Sequence, residues 1–153
     1  MAGVGVNDQD WAVRLAVYQH FVEHALPPTC VEVASQLNLP AEEVRRAYRR
    51  LHQHHALFLD SDAETIRMAN PLSAIPTSYC VEIAGRRLWA NCAWDSLGIP
   101  AMLHSDARIE TVFAHSGQAV RYAIQGDELR EEVDSVVHFP LPFRQWYDDL
   151  IHT

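Results

Sequence analysis

The chain has 153 residues, 48% of them apolar, and a formal net charge of −8. That length can bury a real core in one or two small domains, and that charge argues against bulk attraction to nucleic acid or anionic membranes. No apolar run of about 18 residues is present to span a membrane as a helix. The opening MAGVGVNDQDW lacks the basic and apolar blocks of a secretory signal. The expectation is a soluble cytoplasmic protein. Its three cysteines, Cys30, Cys80 and Cys92, should then stay reduced rather than form a disulfide framework. Every basic side chain other than histidine is arginine.

The first elements read as helices. Trp11, Leu15, Tyr18 and Val22 recur at helical spacing, with Asp8 or Asp10 available as N-cap. Pro27-Pro28 ends that helix. Thr29 opens a second, with Glu32 completing a capping box and Val31, Val33, Ala34 and Leu37 as its apolar positions. A third helix is predicted from about Ala41 to His54, with Val44, Ala47, Tyr48 and Leu51 facing inward. Ala56–Leu59 and Thr65–Met68 flank the acidic turn Asp60-Ser61-Asp62 and read as a hairpin. Helix, short turn, helix and hairpin together predict a winged-helix-like domain over residues 1–70. Asn70 to Pro76 reads as a turn-rich linker.

From residue 77 the period changes. Tyr79–Ala84 and Arg87–Ala90 predict a hairpin around Gly85. Cys92–Leu103 predicts a short apolar helix, ended or kinked by Pro100. A second hairpin is expected from Arg108–Ala114 and Ala119–Gln125, a further strand over Val133–Phe139, and a terminal amphipathic helix over Phe143–Ile151. The predicted class is α+β: a helical N-terminal domain, then a small domain of antiparallel strands with flanking helices over residues 77–153.

Cys92 and Asp95 are the candidate chemical residues. They stand three apart at the start of a predicted helix, a spacing that brings side chains together. A thiolate is a soft-metal ligand, and a nearby carboxylate can take and return a proton. A helix N-terminus is expected to favour the Cys92 thiolate. Taken singly, each residue has a plainer reading: a lone buried cysteine is usually a small core hydrophobe, and Asp95 alone reads as a cap or a surface group. Trp89 and Trp94 read as core rather than as a substrate platform.

The stretch TSYCVEIAGRRLWANCAWDSLGIPAML, Thr77 to Leu103, resembles the organomercurial (alkylmercury) lyase family. The resemblance runs through TSY, a strand, RRL, an aromatic residue and CAxD[ST]LxxPA. It extends back over the helical region and forward through VVHFPLPFRQWYDDLIHT. It implies protonolysis of a carbon–mercury bond to hydrocarbon and Hg(II), as in mercury resistance. Cys92 would be the metal-binding thiolate, and Asp95 the proton shuttle beside the metal. No organic cofactor is implied; Hg(II) is the bound product, and external thiols remove it. The family also implies a second catalytic cysteine shortly after the region matching VVHFPLPFRQWYDDLIHT, and the 153 residues contain none there. The expectation is capture of an organomercurial with impaired cleavage. A boundary before that cysteine and a natural loss of the chemistry both remain open. His138, His152 and, across the hairpin, Cys80 are the alternative ligands.

A rival reading comes from the third helix. Arg45, Arg46, Arg49 and Arg50 resemble a recognition-helix set, which would make the chain a winged-helix transcription regulator, or a metal-binding module, without turnover. Against this, Glu42 stands three and four residues before Arg45 and Arg46, and Glu43 three before Arg46, as in a solvated, self-paired face. DNA binding is therefore not expected. His52, His54 and His55 lack partners at zinc-like spacing, and read as favourable charges at a helix C-terminus.

Overall fold

The structure, a computed structural model, describes residues 5–131 and 135–147. Three helices come first: α1 (Asp8–His24), α2 (Cys30–Leu37) and α3 (Ala41–Gln53). Asn7, not Asp8 or Asp10, caps α1. Its Oδ1 accepts from the Asp10 N–H at 2.9 Å, while Asp10 Oδ2 accepts from the Asn7 N–H at 3.0 Å. Asp10 is completely buried. Both of its oxygens are gripped by Arg50 of α3, at 2.6 and 2.9 Å.

The inward face of α1 also differs from the expectation. Val13, Ala16, Val17 and Phe21 are buried, Trp11 and Leu15 are exposed, and Tyr18 and Val22 are half-buried. Apolar residues occupy two stripes of this helix, and the one carrying Val13, Ala16, Val17 and Phe21 is turned into the core. The predicted box at Thr29 and Glu32 forms, with mutual bonds of 2.7 and 3.3 Å. Val31 of α2 is exposed, while Val33 and Ala34 are buried. On α3 the four predicted residues, Val44, Ala47, Tyr48 and Leu51, are buried.

The strands form one antiparallel sheet in the order β1-β2-β3-β5-β4-β6-β7-β8. These are β1 (Phe58–Leu59), β2 (Ile66–Ala69), β3 (Leu72–Ser73), β4 (Cys80–Ile83), β5 (Arg86–Ala90), β6 (Ala107–Val112), β7 (Ala119–Gln125) and β8 (Glu128–Glu131). Strand β3 lies where a linker was expected. Leu72 pairs with Ala90 and Ser73 with Trp89, so the strands of the helical region continue into the main sheet. The β4–β5 turn places Ala84 and Gly85 at φ 48° and 74°, as a two-residue hairpin turn of this hand requires.

Helix α4 (Ala93–Leu103) packs across β5, β4 and β6. Pro100 is buried within it, and the helix continues to Leu103 rather than ending there. Residues 135–139 form no strand, and 133–134 lie outside the described residues. Of the expected terminal helix, the described part is a single 3-10 turn at Phe143–Gln145; residues 148–151 lie outside the described residues. A continuous core joins α1–α3 to the sheet and α4, through Phe21, Tyr48, Leu57, Leu72, Leu88 and Ile99.

Candidate active site

Strand β5 ends at Ala90, and two residues later the chain enters α4. Cys92 takes the N-cap position in extended conformation, φ −150° and ψ 179°. Its sulfur stands where a cap oxygen usually does, accepting the Asp95 N–H at 3.5 Å. Asp95 is the third residue of the helix. The two residues therefore meet across the helix end, as a cap side chain meets the third helical residue, rather than along one helical face.

Asp95 has a second neighbour that spacing alone did not single out. Asn91 Nδ2 lies 3.2 Å from Asp95 Oδ2, 3.0 Å from Asn70 Oδ1 and 3.4 Å from the Leu72 carbonyl. The Asn70 carbonyl accepts the Tyr18 hydroxyl at 2.6 Å, and that hydroxyl accepts from Arg14 at 2.8 Å. Tyr18, Asn70 and Asn91 thus connect α1 to the carboxylate, Asn70 through both its main-chain carbonyl and its side chain. The Asn91–Asp95 spacing of four was visible in the sequence; Tyr18 and Asn70 are brought in by the fold alone.

Burial pushes the Cys92 thiol above its ordinary pKa, and the Asp95 charge adds to the effect. The backbone N–H groups of Asp95 and Trp94 act the other way without prevailing. The expectation of a helix-stabilised thiolate is thus reversed, because desolvation outweighs the helix end. Burial likewise raises the Asp95 carboxyl, opposed by hydrogen bonds from Asn91 and Cys92. Both groups are biased towards holding the proton, and they sit beside each other.

Cys92 opens onto a cleft of about 430 Å³ between α4, the core face of β6–β8 and the segment 135–140. Its walls are mostly apolar and include Tyr79, Val120, Tyr122, Leu129 and Phe139. Trp94 is 56% exposed at the edge of this cleft, with its ring 6.0 Å from Phe139, so it is not a core residue. His138 also lines the cleft, while His152 lies outside the described residues.

Cys80 does not line this cleft. It pairs with Trp89 and Glu110 on the sheet face that carries Glu82 and Arg87, opposite Val81 and Leu88. Cys30 is buried at the start of α2, 3.9 Å from the Glu64 carbonyl. Burial raises both thiols.

The arginines of α3 are engaged within the chain. Arg45 pairs with Glu42 and Glu64, Arg46 with Glu42 and Glu43, Arg49 with Glu64, and Arg50 with Asp10. His52 Nδ1 accepts the Leu59 N–H at 3.3 Å, and His55 stacks 4.2 Å from Tyr147.

Against known proteins, the alkylmercury lyase family model matches residues 72–151. The alkylmercury lyase of Staphylococcus epidermidis is 26% identical over 103 residues, covering 67% of this chain and 45% of that protein. That of Bacillus cereus is 26% identical over 101 residues, covering 66% and 44%. The chain therefore spans about half the length of the curated relatives it matches. The mercury-bound form of MerB2 superimposes with a TM-score of 0.70 at 21% identity, over 82% of this chain and 60% of that one, a likeness of fold. The family model takes in β3–β8, the Cys92–Asp95 helix end and the segment that walls the cleft; the chain belongs to the alkylmercury lyase family.

Proposed function

We propose that the chain captures organomercurials at Cys92 and cleaves their carbon–mercury bond with a proton carried by Asp95. One observation supports this most: a thiol and a carboxylate, both biased to hold a proton, meet at a helix end that opens onto an apolar cleft. The relatives' names supply the reaction class.

The Cys92 sulfur displaces the ligand X from R–Hg–X, and its proton passes to Asp95. That leaves Cys92–S–Hg–R, free X⁻ and a protonated carboxyl. A second thiolate then adds to mercury and weakens the Hg–C bond. Asp95 delivers its proton to carbon, giving R–H and mercury held between two sulfurs. Mercury favours thiolates because both are soft, and the carboxyl acts as general base and then general acid.

Within these 153 residues no second cysteine follows Cys92, and Cys80 faces away from the cleft. The second sulfur is supplied from outside these residues. An external thiol is the reading for that second sulfur, and an open cleft of about 430 Å³ at Cys92 supports it. This favours thiol-dependent release over capture alone.

The test is phenylmercury with and without excess external thiol. One equivalent bound at Cys92 is expected by mass spectrometry, with thiol-dependent benzene release detected by gas chromatography. Asp95→Ala is expected to retain binding and lose release. Release by Asp95→Ala at the parent rate would refute the shuttle. Modification of Cys30 in preference to Cys92 would refute the site.

A further inference from the structure

We propose that Asn91 is the positioning residue of this site: its side-chain amide, anchored on the turn between β2 and β3, aims the Asp95 carboxylate at the Cys92 sulfur. The inference rests on the reading of Cys92 and Asp95 given above and adds a residue to it.

The amide's orientation is chemically determined. Its Nδ2 faces three oxygens, those of Asp95, Asn70 and Leu72. An amide turned the other way would set Oδ1 against all three and lose every bond. The price of this orientation is visible, since Asn91 Oδ1 is buried without a hydrogen-bond partner among the described residues. Buried acceptors are rarely left so. Here the unpaired oxygen accompanies a donor committed to the carboxylate.

The anchor is itself held. Tyr18 fixes the Asn70 carbonyl at 2.6 Å. Helix α4 also rides close over this turn, since a Cβ at Gly98 would lie 3.4 Å from Pro71 Cβ. Asn91 therefore bridges a fixed turn and a fixed helix end. With Oδ2 engaged by Asn91, Oδ1 is left to exchange a proton with the thiol.

The test is Asn91→Leu, which keeps the volume and removes the donor. Two quantities are read on the 153-residue chain: phenylmercury uptake at Cys92, and benzene release per bound mercury under excess thiol. Uptake is expected to persist and release to fall by about 10–100-fold, the usual effect of losing a partner that orients a reacting group. In steady state this appears in kcat and not in KM. Release at the parent rate would overturn the proposal. So would parallel loss of uptake and release, which would make Asn91 a support of the fold.

A second measurement does not depend on turnover. The Asn91 side-chain amide protons are compared by NMR between the parent chain and Asp95→Ala. A clear shift of the amide proton directed at Asp95 is expected, larger than that of the proton directed at Asn70, and unmoved resonances would overturn the proposal. If the parent releases no benzene at all, the lyase reading fails, and this NMR comparison alone decides whether Asn91 holds the carboxylate.

Discussion

Cys92 meets the cleft directly, whereas Cys30 and Cys80 are buried away from it. Exposure therefore ranks the three thiols, and we predict that substoichiometric phenylmercury labels Cys92 first. The pH dependence of that labelling carries information about Asp95. Cys92 titrates above the ordinary thiol range, chiefly through burial and next through the Asp95 charge. Its reactivity towards a neutral alkylating reagent should rise with pH through a midpoint above that of a free cysteine. Asp95→Asn removes the charge that opposes the thiolate, so the midpoint should move down. A midpoint that stays put or rises would show that the carboxylate does not face the sulfur. The Cys92–Asp95 pair was legible from spacing because an N-cap and the third helical residue always come together. Asn70 and Tyr18 were not legible, since they stand 21 and 52 residues from their partners Asn91 and Asn70.

At the scale of elements, α1 is tied to α3 by the buried Asp10 and Arg50. Burial alone would raise the Asp10 carboxyl. The hydrogen bond from Arg50, that from the Asn7 N–H, and the guanidinium charge together bring it below its ordinary value. A lowered carboxyl contributes stability that is present above its unfolded pKa and is lost as pH falls through the folded one. Arg50→Ala should therefore cost about 3 kcal/mol in urea unfolding at neutral pH, because it leaves a buried charge unpaired. The gap between the variant and the parent should narrow in acid. The other arginines of α3 make partly exposed pairs worth little individually, but these pairs occupy the groups a recognition helix would offer to DNA. We predict no specific duplex binding at physiological salt, where the electrostatic drive is weak for so acidic a chain. Selection from random duplexes that recovers a motif lost on Arg46→Ala with Arg50→Ala would reverse this. Helix α3 was easy to read because its apolar and charged residues fall on opposite faces. Helix α1 was not, since Trp11 and Leu15 compete with Val13 and Phe21 and only packing against α3 chooses between them. Strand β8, Glu-Leu-Arg-Glu, was not expected, having little apolar alternation to betray it; backbone pairing to β7 defines it.

At the scale of the whole molecule, the α+β class was legible from the change of period near residue 77, but the continuity of the sheet was not. Two residues, Leu72 and Ser73, are too short to show a pattern, yet they join the strands of the helical region to those behind α4. That seam means the helical region cannot part from the main sheet without breaking the ladder at β3. The molecule should melt in one transition, with helical circular dichroism and tryptophan fluorescence following the same curve. Mercury captured at Cys92 of the folded chain sits beside Asp95, at one end of the connection through Asn91 and Asn70 to Tyr18, so any tightening there should be shared across the seam. Hydrogen exchange would make this visible: backbone amides of α1, at the opposite end of the Tyr18–Asn70–Asn91 connection, should exchange more slowly once phenylmercury is bound. A metal held by one sulfur would in this way be registered by a helix that never touches it.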